Sequence, residues 1–387
     1  MSKGWQHKHI GDLCEVISGQ SPEGRFYNSE GMGLPFYQGK KDFGERFIET
    51  PTSWTTQTTK IAQEGDILMS VRAPVGPVNI ATNEICIGRG LAAIRTGPEL
   101  DRAFLFYQLL HLQPVIAGTE GAVFASINRS QIRALRIAIV PLPEQQRIVR
   151  ILDRGFEGIA STRVVADKNL HNARALFESY RSSILAQRGE GWVERALGDV
   201  CNIARGGSPR PIRKFLTTSS DGINWIKIGD ATSSGKYIYK TEEKITPEGA
   251  ERSRMVFDGD FLLSNSMSFG RPYIMRTAGC VHDGWLILSK YTEHLDQDYL
   301  YYALGSRSVF QQFDRLAAGA TVRNLNIDLA SRVAIPIPPL NHQREIAIKC
   351  EKLSHKTQQL EEIYKRKCQA LDSLKWSLLD QAFDGKL

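Results

Sequence analysis

Hydrophobic positions along this chain fall into two regimes. Short apolar, β-branched runs, Ile67 to Val71, Ile85 to Ile87, Leu91 to Ile94 and Ile137 to Val140, are bounded by Gly, Pro and Asn, which predicts short strands. Asp101 to His111 and Asp298 to Gly305 instead carry apolar residues at helical spacing, with an acidic residue near the start where the helix dipole favours one. Glu144 to Gln187 and His342 to Gln381 differ in kind: they contain no proline and little glycine, and predict helices of about ten turns or more. In the first, Val149, Phe156, Leu170, Phe177 and Ile184 sit at heptad spacing, with Leu152, Ile159, Ala166, Ala173 and Tyr180 three residues on. In the second, Ile346, Leu353, Leu360 and Leu374 form one row and Cys350, Tyr364, Leu371 and Leu378 the other, interrupted by Thr357 and Lys367 as Arg163 interrupts the first helix. A two-row seam of this length predicts coiled-coil pairing, each helix being the natural partner of the other. Pro141-Leu142-Pro143 and Pro338-Pro339-Leu340 block helix upstream and permit it at the next turn.

The pattern is written twice. Trp5, Ile10-Gly11-Asp12-Leu13-Cys14 and Gly19-Gln20-Ser21-Pro22 return as Trp192, Leu197-Gly198-Asp199-Val200-Cys201 and Gly206-Gly207-Ser208-Pro209, an offset of 187 from Trp5 to Trp192. Glu64-Gly65-Asp66-Ile67-Leu68-Met69-Ser70 returns as Asp258-Gly259-Asp260-Phe261-Leu262-Leu263-Ser264, and Gly76, Cys86 and Gly90 as Gly270, Cys280 and Gly284, now offset by 194. Gly121-Ala122-Val123, Ile127-Asn128 and Pro141-Leu142 match Gly319-Ala320-Thr321-Val322, Leu325-Asn326 and Pro339-Leu340 at an offset of 198, so only short loop insertions separate the copies. The order is domain, helix, domain, helix.

Composition narrows the class. The 387 residues fit two domains, and 42% hydrophobic with 24% charged residues is globular composition. A formal charge of +7 suits a polyanionic partner, although by itself it describes a solvated basic surface equally well. Six cysteines without a CxxC pair, four of them falling in the repeat-related pairs Cys14 with Cys201 and Cys86 with Cys280, read as buried packing residues and not as a disulfide framework or zinc site. Met1 to Leu13 holds no apolar run of signal-peptide length and no stretch of about 18 apolar residues occurs, so the expected location is the cytoplasm.

Enzyme chemistry finds no address. There is no Gly-rich cofactor loop with an Asn/Asp-Pro-Pro-aromatic segment, no GxxxxGK[ST] loop, no HxH or HExxH spacing and no catalytic triad to propose. Gly39-Lys40-Lys41 reads as a basic loop. Glu242-Glu243-Lys244 has a spacing found in some nuclease sites, but those need further carboxylates around a metal, and a solvated loop is the better reading.

Several features together resemble the specificity subunits of type I restriction-modification systems (the HsdS family): the twice-written Trp-x4-Ile/Leu-Gly-Asp opening, the Gly-Asp-Ile/Phe-Leu-x-Ser strand entry, and a Pro-Leu-x-x-Gln turn leading into a long helix. The turn is carried by Pro141, Leu142 and Gln145-Gln146-Arg147, and by Pro339, Leu340 and Gln343-Arg344, and Ser377 to Leu387 looks like that family's helix end. His342 replaces the acidic residue that Glu144 supplies in the first copy, and Arg188-Gly189 replaces the Ala-Phe ending in the first helix.

The resemblance implies a mixed α/β fold of two repeated target-recognition domains separated by two long antiparallel coiled-coil helices in a pseudo-twofold arrangement. The divisions would be 1–143 and 190–338 for the domains, and 144–189 and 339–387 for the spacer helices. It implies a non-catalytic subunit whose domains each read half of a bipartite, asymmetric double-stranded DNA site while the helices set the spacing. It also implies two methyltransferase subunits, which hold S-adenosylmethionine, and separate motor-nuclease subunits; this chain itself needs no cofactor and no metal. Readout should come from loop side chains that differ between the copies. Gln38, Lys40, Lys41, Arg72 and Arg89 are the candidates in the first domain, and Arg210, Arg213, Lys214, Lys227, Asn265, Arg271 and Arg323 in the second, each set against the plain reading of an ordinary surface charge. Two other readings stand beside this one: a duplicated protein-binding scaffold, whose binding would lack steep salt dependence, and a self-contained DNA-modifying enzyme.

Overall fold

Each strand run predicted above is a strand, and each copy of the repeat builds the same sheets. The structure, a computed structural model, describes residues 5–118, 126–187, 189–265, 270–291, 293–317 and 325–387. The chain divides into two compact units, Met1–Asp167 with Arg366–Leu387, and Lys168–Lys365.

In the first unit an antiparallel sheet runs in the order Cys14–Ser18, Leu91–Thr96, Ile67–Ser70, Val78–Ile80. A second, mixed sheet places Leu34–Tyr37 parallel to Ile85–Ile87, and Gln6–His9 pairs with Arg136–Ile139. In the second unit Asn202–Arg205, Trp285–Ser289, Phe261–Ser264 and Pro272–Met275 repeat the first sheet, with Tyr237–Ile238 added at its edge. Ile223–Ile226 runs parallel to Gly279–Val281, and Val193–Ala196 pairs with Ala334–Ile337. The Gly-Asp strand entry has a local cause. Gly65 and Gly259 adopt φ of 86° and 90°, and the carboxylates of Asp66 and Asp260 each accept a 2.8 Å bond from a backbone N–H, of Gln63 and Phe257.

The predicted helix at Asp101 is longer than its apolar spacing indicates, running Arg102–Ala117, with the Asp101 carboxylate accepting from the N–H groups of Ala103 and Phe104. Its counterpart is Gln297–Leu304, capped by Asp296 and followed by a further helix, Arg307–Ala317. All six cysteines are buried and unpaired, and burial pushes the Cys14 and Cys201 thiols up to about 12, as expected of packing residues.

The long helices are Leu142–Ala186 and Leu340–Phe383. Within each unit their segments run antiparallel: Arg163 bonds Asp372 at 2.8 Å in the first, and Arg174 bonds Glu361 at 2.9 Å in the second. Every seam position read from the first helix is buried or half-buried. The second helix requires a correction. Gln343, Cys350, Thr357, Tyr364, Leu371 and Leu378 form one inward row; in the other, Ile346 and Leu353 are buried or half-buried alongside Ala347 and Ser354, but beyond them the inward positions are Glu361, Cys368, Lys375 and Ala382, one residue past the row of leucines. Leu360 and Leu374 are 39% and 47% exposed. Thr357 does not interrupt the seam, because its hydroxyl donates back to the Leu353 and Ser354 carbonyls and is thereby buried at little cost.

The glutamine of the Pro-Leu-x-x-Gln turn ties each domain to its helix. Gln145 is fully buried; its amide donates to the carbonyls of Glu99 and Val140, and its oxygen accepts from the N–H of Asp101, the helix cap. Gln343 does the same with His294, Pro338 and Asp296. A second duplicated tie is ionic. Asp153 meets the Arg46 guanidinium and the Tyr107 hydroxyl, both at 2.7 Å, and Glu351 meets the Lys236 ammonium at 2.7 Å and the Tyr302 hydroxyl at 2.5 Å. Leu379 and Ala382 are buried in the same core as Phe104 and Ile148, and Phe383 meets the Phe104 ring edge-on and stacks on His111. The Ser377 to Leu387 helix end is therefore part of the first unit.

Candidate nucleic-acid interface

The turns that follow the parallel strand pairs bring several of the candidate residues together. Gly19 and Gly206 lie so close to the next chain segment that a Cβ would stand 2.2 Å from the Gly88 oxygen and 2.0 Å from the His282 oxygen, so neither position tolerates a side chain. Backbone bonds then hold both turns alike. Gly19 donates to Leu91 and Gly206 to Trp285, Val71 to Gly90 and Asn265 to Gly284, Ile127 to Val71 and Leu325 to Asn265. These bonds place Arg89 and Asp283 at equivalent positions.

In the first unit the Ser21 hydroxyl accepts from the Arg89 N–H at 3.3 Å and donates to the Gln38 side-chain oxygen at 3.4 Å. Beside them a concavity of about 450 Å³ is lined by Arg72, Arg89, Arg129, Ser18, Ser126 and Asn128, among others. The structure thus gathers three of the predicted residues, Gln38, Arg72 and Arg89, around one basic surface. Lys40 and Lys41 are exposed on the turn two residues beyond Gln38, outside that concavity. Arg129 was not among the candidates. It stands at the first position of the helix Arg129–Arg133, whose cap Asn128 belongs to the repeat, so its placement beside a repeated cap was the available signal.

In the second unit a concavity of about 460 Å³ is lined by Ser208, Arg210, Trp225, Lys227, His282 and Asp283, among others. Arg210 is 80% exposed and bonds Asp283 at 3.2 Å. The Ser208 hydroxyl, with Arg210 nearby, holds the Asp283 carboxyl below the ordinary carboxylate range. Burial pushes His282 down, and its Nδ1 accepts from the Gly284 N–H. Arg213 and Lys214 are exposed on the turn Ile212–Lys214.

The remaining candidates fare differently. Lys227 is committed to Glu243 at 2.9 Å, which raises its pKa. Asn265 is buried, its amide donating to the Asp283 carbonyl, and so presents no surface for readout. Arg271 is exposed over the Tyr273 ring and lines a separate groove with Arg174, Arg181 and Arg307. Arg323 lies outside the described residues, as do Gly121 to Val123 and Gly319 to Val322. Glu242-Glu243-Lys244 is not a loop: Glu243–Ile245 is a strand, and both glutamates face Lys227. Among the described residues no group of three His, Cys, Asp or Glu is placed to hold a metal, and no helix is long and apolar enough to cross a membrane.

Residues 2–164 and 189–367 match the family described as the type I restriction modification DNA specificity domain. A Methanocaldococcus jannaschii protein named as a type I restriction enzyme MjaX specificity subunit is 42% identical over 152 residues, which are 38% of this chain and only 36% of that protein. The type I restriction enzyme MjaVIII specificity subunit of the same organism is 19% identical over 409 residues, 99% of this chain and 93% of that protein. A solved chain from work on complex assembly and conformational transition of the type I R-M system superposes with a TM-score of 0.81, at 19% identity, over 100% of this chain and 99% of its own. These matches place the chain among specificity-subunit folds built from repeated α/β domains and long helices. It belongs to the type I restriction modification DNA specificity family.

Proposed function

We propose that this chain is the part of a type I restriction-modification complex that reads DNA, each repeat contacting one half of a gapped, asymmetric site. One observation carries the reading: a single backbone framework, held by the same glycines and hydrogen bonds in both copies, presents Arg89 at a position where the second copy presents Asp283. Equal frameworks with unequal polar side chains suit two unlike half-sites, because base edges are told apart by donor and acceptor pattern. Arg72, Arg89 and Arg129 would carry the first half-site, and Arg210, Arg213 and Lys214 the second, with phosphate contacts drawing on the basic charge.

Along the chain, 1–143 and 190–338 would be the reading domains, and 144–189 and 339–387 the spacers. Helices of 45 and 44 residues, about 68 and 66 Å at 1.5 Å per residue, would set the gap between half-sites. The repeat offers two similar docking faces, which suits two copies of a methyltransferase subunit that binds S-adenosylmethionine and modifies adenine. Motor-nuclease subunits would join the full complex, and the working location would be the cytoplasm, where the DNA is. Catalysis belongs to those partners.

The test is co-expression with the neighbouring methyltransferase gene product and mapping of N6-methyladenine. Methylation confined to one gapped, two-part motif and lost when this chain is omitted is the expected result. Methylation unchanged without the chain would sink the reading and move the scaffold function forward.

A further inference from the structure

The second domain carries a carboxylate where the first carries Arg89, and a bare carboxylate facing DNA would be repelled by the phosphates. The surroundings of Asp283 resolve the conflict. Its carboxylate accepts from the Ser208 hydroxyl at 2.7 Å and from the Arg210 guanidinium at 3.2 Å. Its carbonyl accepts from Asn265 at 2.8 Å and Arg205 at 3.1 Å, and its N–H donates to Ser208 at 3.4 Å. Five polar contacts thus fix one exposed-turn residue, and what it holds outward is an arginine whose side chain is 80% exposed.

We propose that Asp283 is a positioning residue that seats Arg210 for reading a guanine, so that the Asp283–Arg210 pair does in the second domain what Arg89 does from the equivalent turn position in the first. This rests on the DNA-reading function proposed above. A free arginine loses rotamer entropy when it locks onto the two acceptors of guanine; a carboxylate that already holds one edge of the fork has removed much of that loss before binding. Asn265, buried and therefore no reader, gains a role as part of the support that holds the Asp283 backbone. The second domain supplies its guanidinium from residue 210, on a different segment from the turn that carries Asp283, which is why the two copies do not align at their reading arginine.

The experiment uses the co-expressed methyltransferase complex and methylation mapping with Arg210→Ala, Arg210→Lys, Asp283→Asn, Asp283→Ala, the Arg210→Ala/Asp283→Ala double variant and Arg89→Ala. Arg210→Ala is expected to relax one base pair of one half-site by roughly ten- to hundredfold, with the gap and the other half-site unchanged. Asp283→Ala and Asp283→Asn should relax the same base pair more weakly, and the double variant should match Arg210→Ala. Arg89→Ala should relax a base pair in the opposite half-site. Asp283 variants that leave the motif unchanged, or lower methylation evenly at all sites without altering base preference, overturn the proposal, and Arg210→Lys, at an exposed position, keeps the test open if Asp283 variants fold poorly. A wild-type complex that yields no gapped motif would instead overturn the function on which the proposal rests.

Discussion

The Lys236 ammonium lies 2.7 Å from the Glu351 carboxylate on the second long helix, and Arg46 lies 2.7 Å from Asp153 on the first. Each pair is completed by a tyrosine hydroxyl, from Tyr302 and Tyr107. Asp153 and Glu351 are 198 residues apart, and the cations hold equivalent places too: the carbonyl of Arg46 accepts from the Ile80 N–H and that of Lys236 from the Ile274 N–H, 194 residues on, so the tie is repeated with arginine exchanged for lysine. Lys236 also meets Asp298 at 2.9 Å, with only 11% of its side chain exposed.

Lys236→Met should therefore destabilise the second unit by about 1–3 kcal/mol, the range for charge-assisted hydrogen bonds. Acid should reveal the same contact. Burial works against ionisation of Glu351 and Asp298, but Lys236, with the Tyr302 hydroxyl on Glu351 and the Tyr237 hydroxyl on Asp298, holds both pKa values below normal. A folded pKa below the unfolded one stabilises above the unfolded value and is lost as pH falls through the folded one. Urea titrations should show wild-type stability dropping below about pH 4, with a shallower drop in Lys236→Met; parallel curves would contradict the assignment.

Gln343→Leu removes an amide that serves two carbonyls and one N–H, each otherwise buried or half-buried. A loss of roughly 2–4 kcal/mol is expected, since stranded polar groups cost more than the bonds themselves contributed. Gln145→Leu should cost a similar amount, and denaturant midpoints at unchanged slope would measure both.

The thiols give a direct check on packing. All six cysteines are buried, and burial raises Cys14 and Cys201 to about 12 and Cys350 to about 11. A chromogenic disulfide reagent at pH 8 should label none of them rapidly in native protein and all six in denaturant. Rapid labelling of native protein would show that the cores open.

Salt dependence separates arginines that touch phosphate from those that do not. If Arg72 and Arg129 contact the backbone of the first half-site, replacing each by alanine should lower the slope of log binding constant against log salt by about 0.9, without changing which bases are preferred. An unaltered slope would place the phosphate contacts elsewhere.

Much of this architecture is legible in the chain because duplication reports itself: Gly19 with Gly206, Asp66 with Asp260 and Gln145 with Gln343 each keep a residue type that one backbone geometry demands. The second helix shows where such reading fails. Its leucines suggest one seam, yet Glu361 and Lys375 face inward in place of Leu360 and Leu374, because long charged side chains can bury their stems and keep their ends bonded, to Arg174 and Glu45. The ionic ties and the Asp283–Arg210 pair were beyond reach for another reason. Their partners are 73 to 115 residues apart, and the cation of the ionic tie changes from arginine to lysine between the copies, so only the folded chain brings them together.

The packing of Leu379 and Ala382 beside Phe104 sets an order of assembly. Residues 168–365 form their unit from one continuous stretch, whereas the other unit needs residues 366–387 to fill its core. At about 5–20 residues per second, a ribosome takes roughly 10–40 s to make the intervening stretch. The domain translated first is completed last, and through that interval it stands with an apolar slot open, exposed to chaperones and to misplaced copies of the same helix.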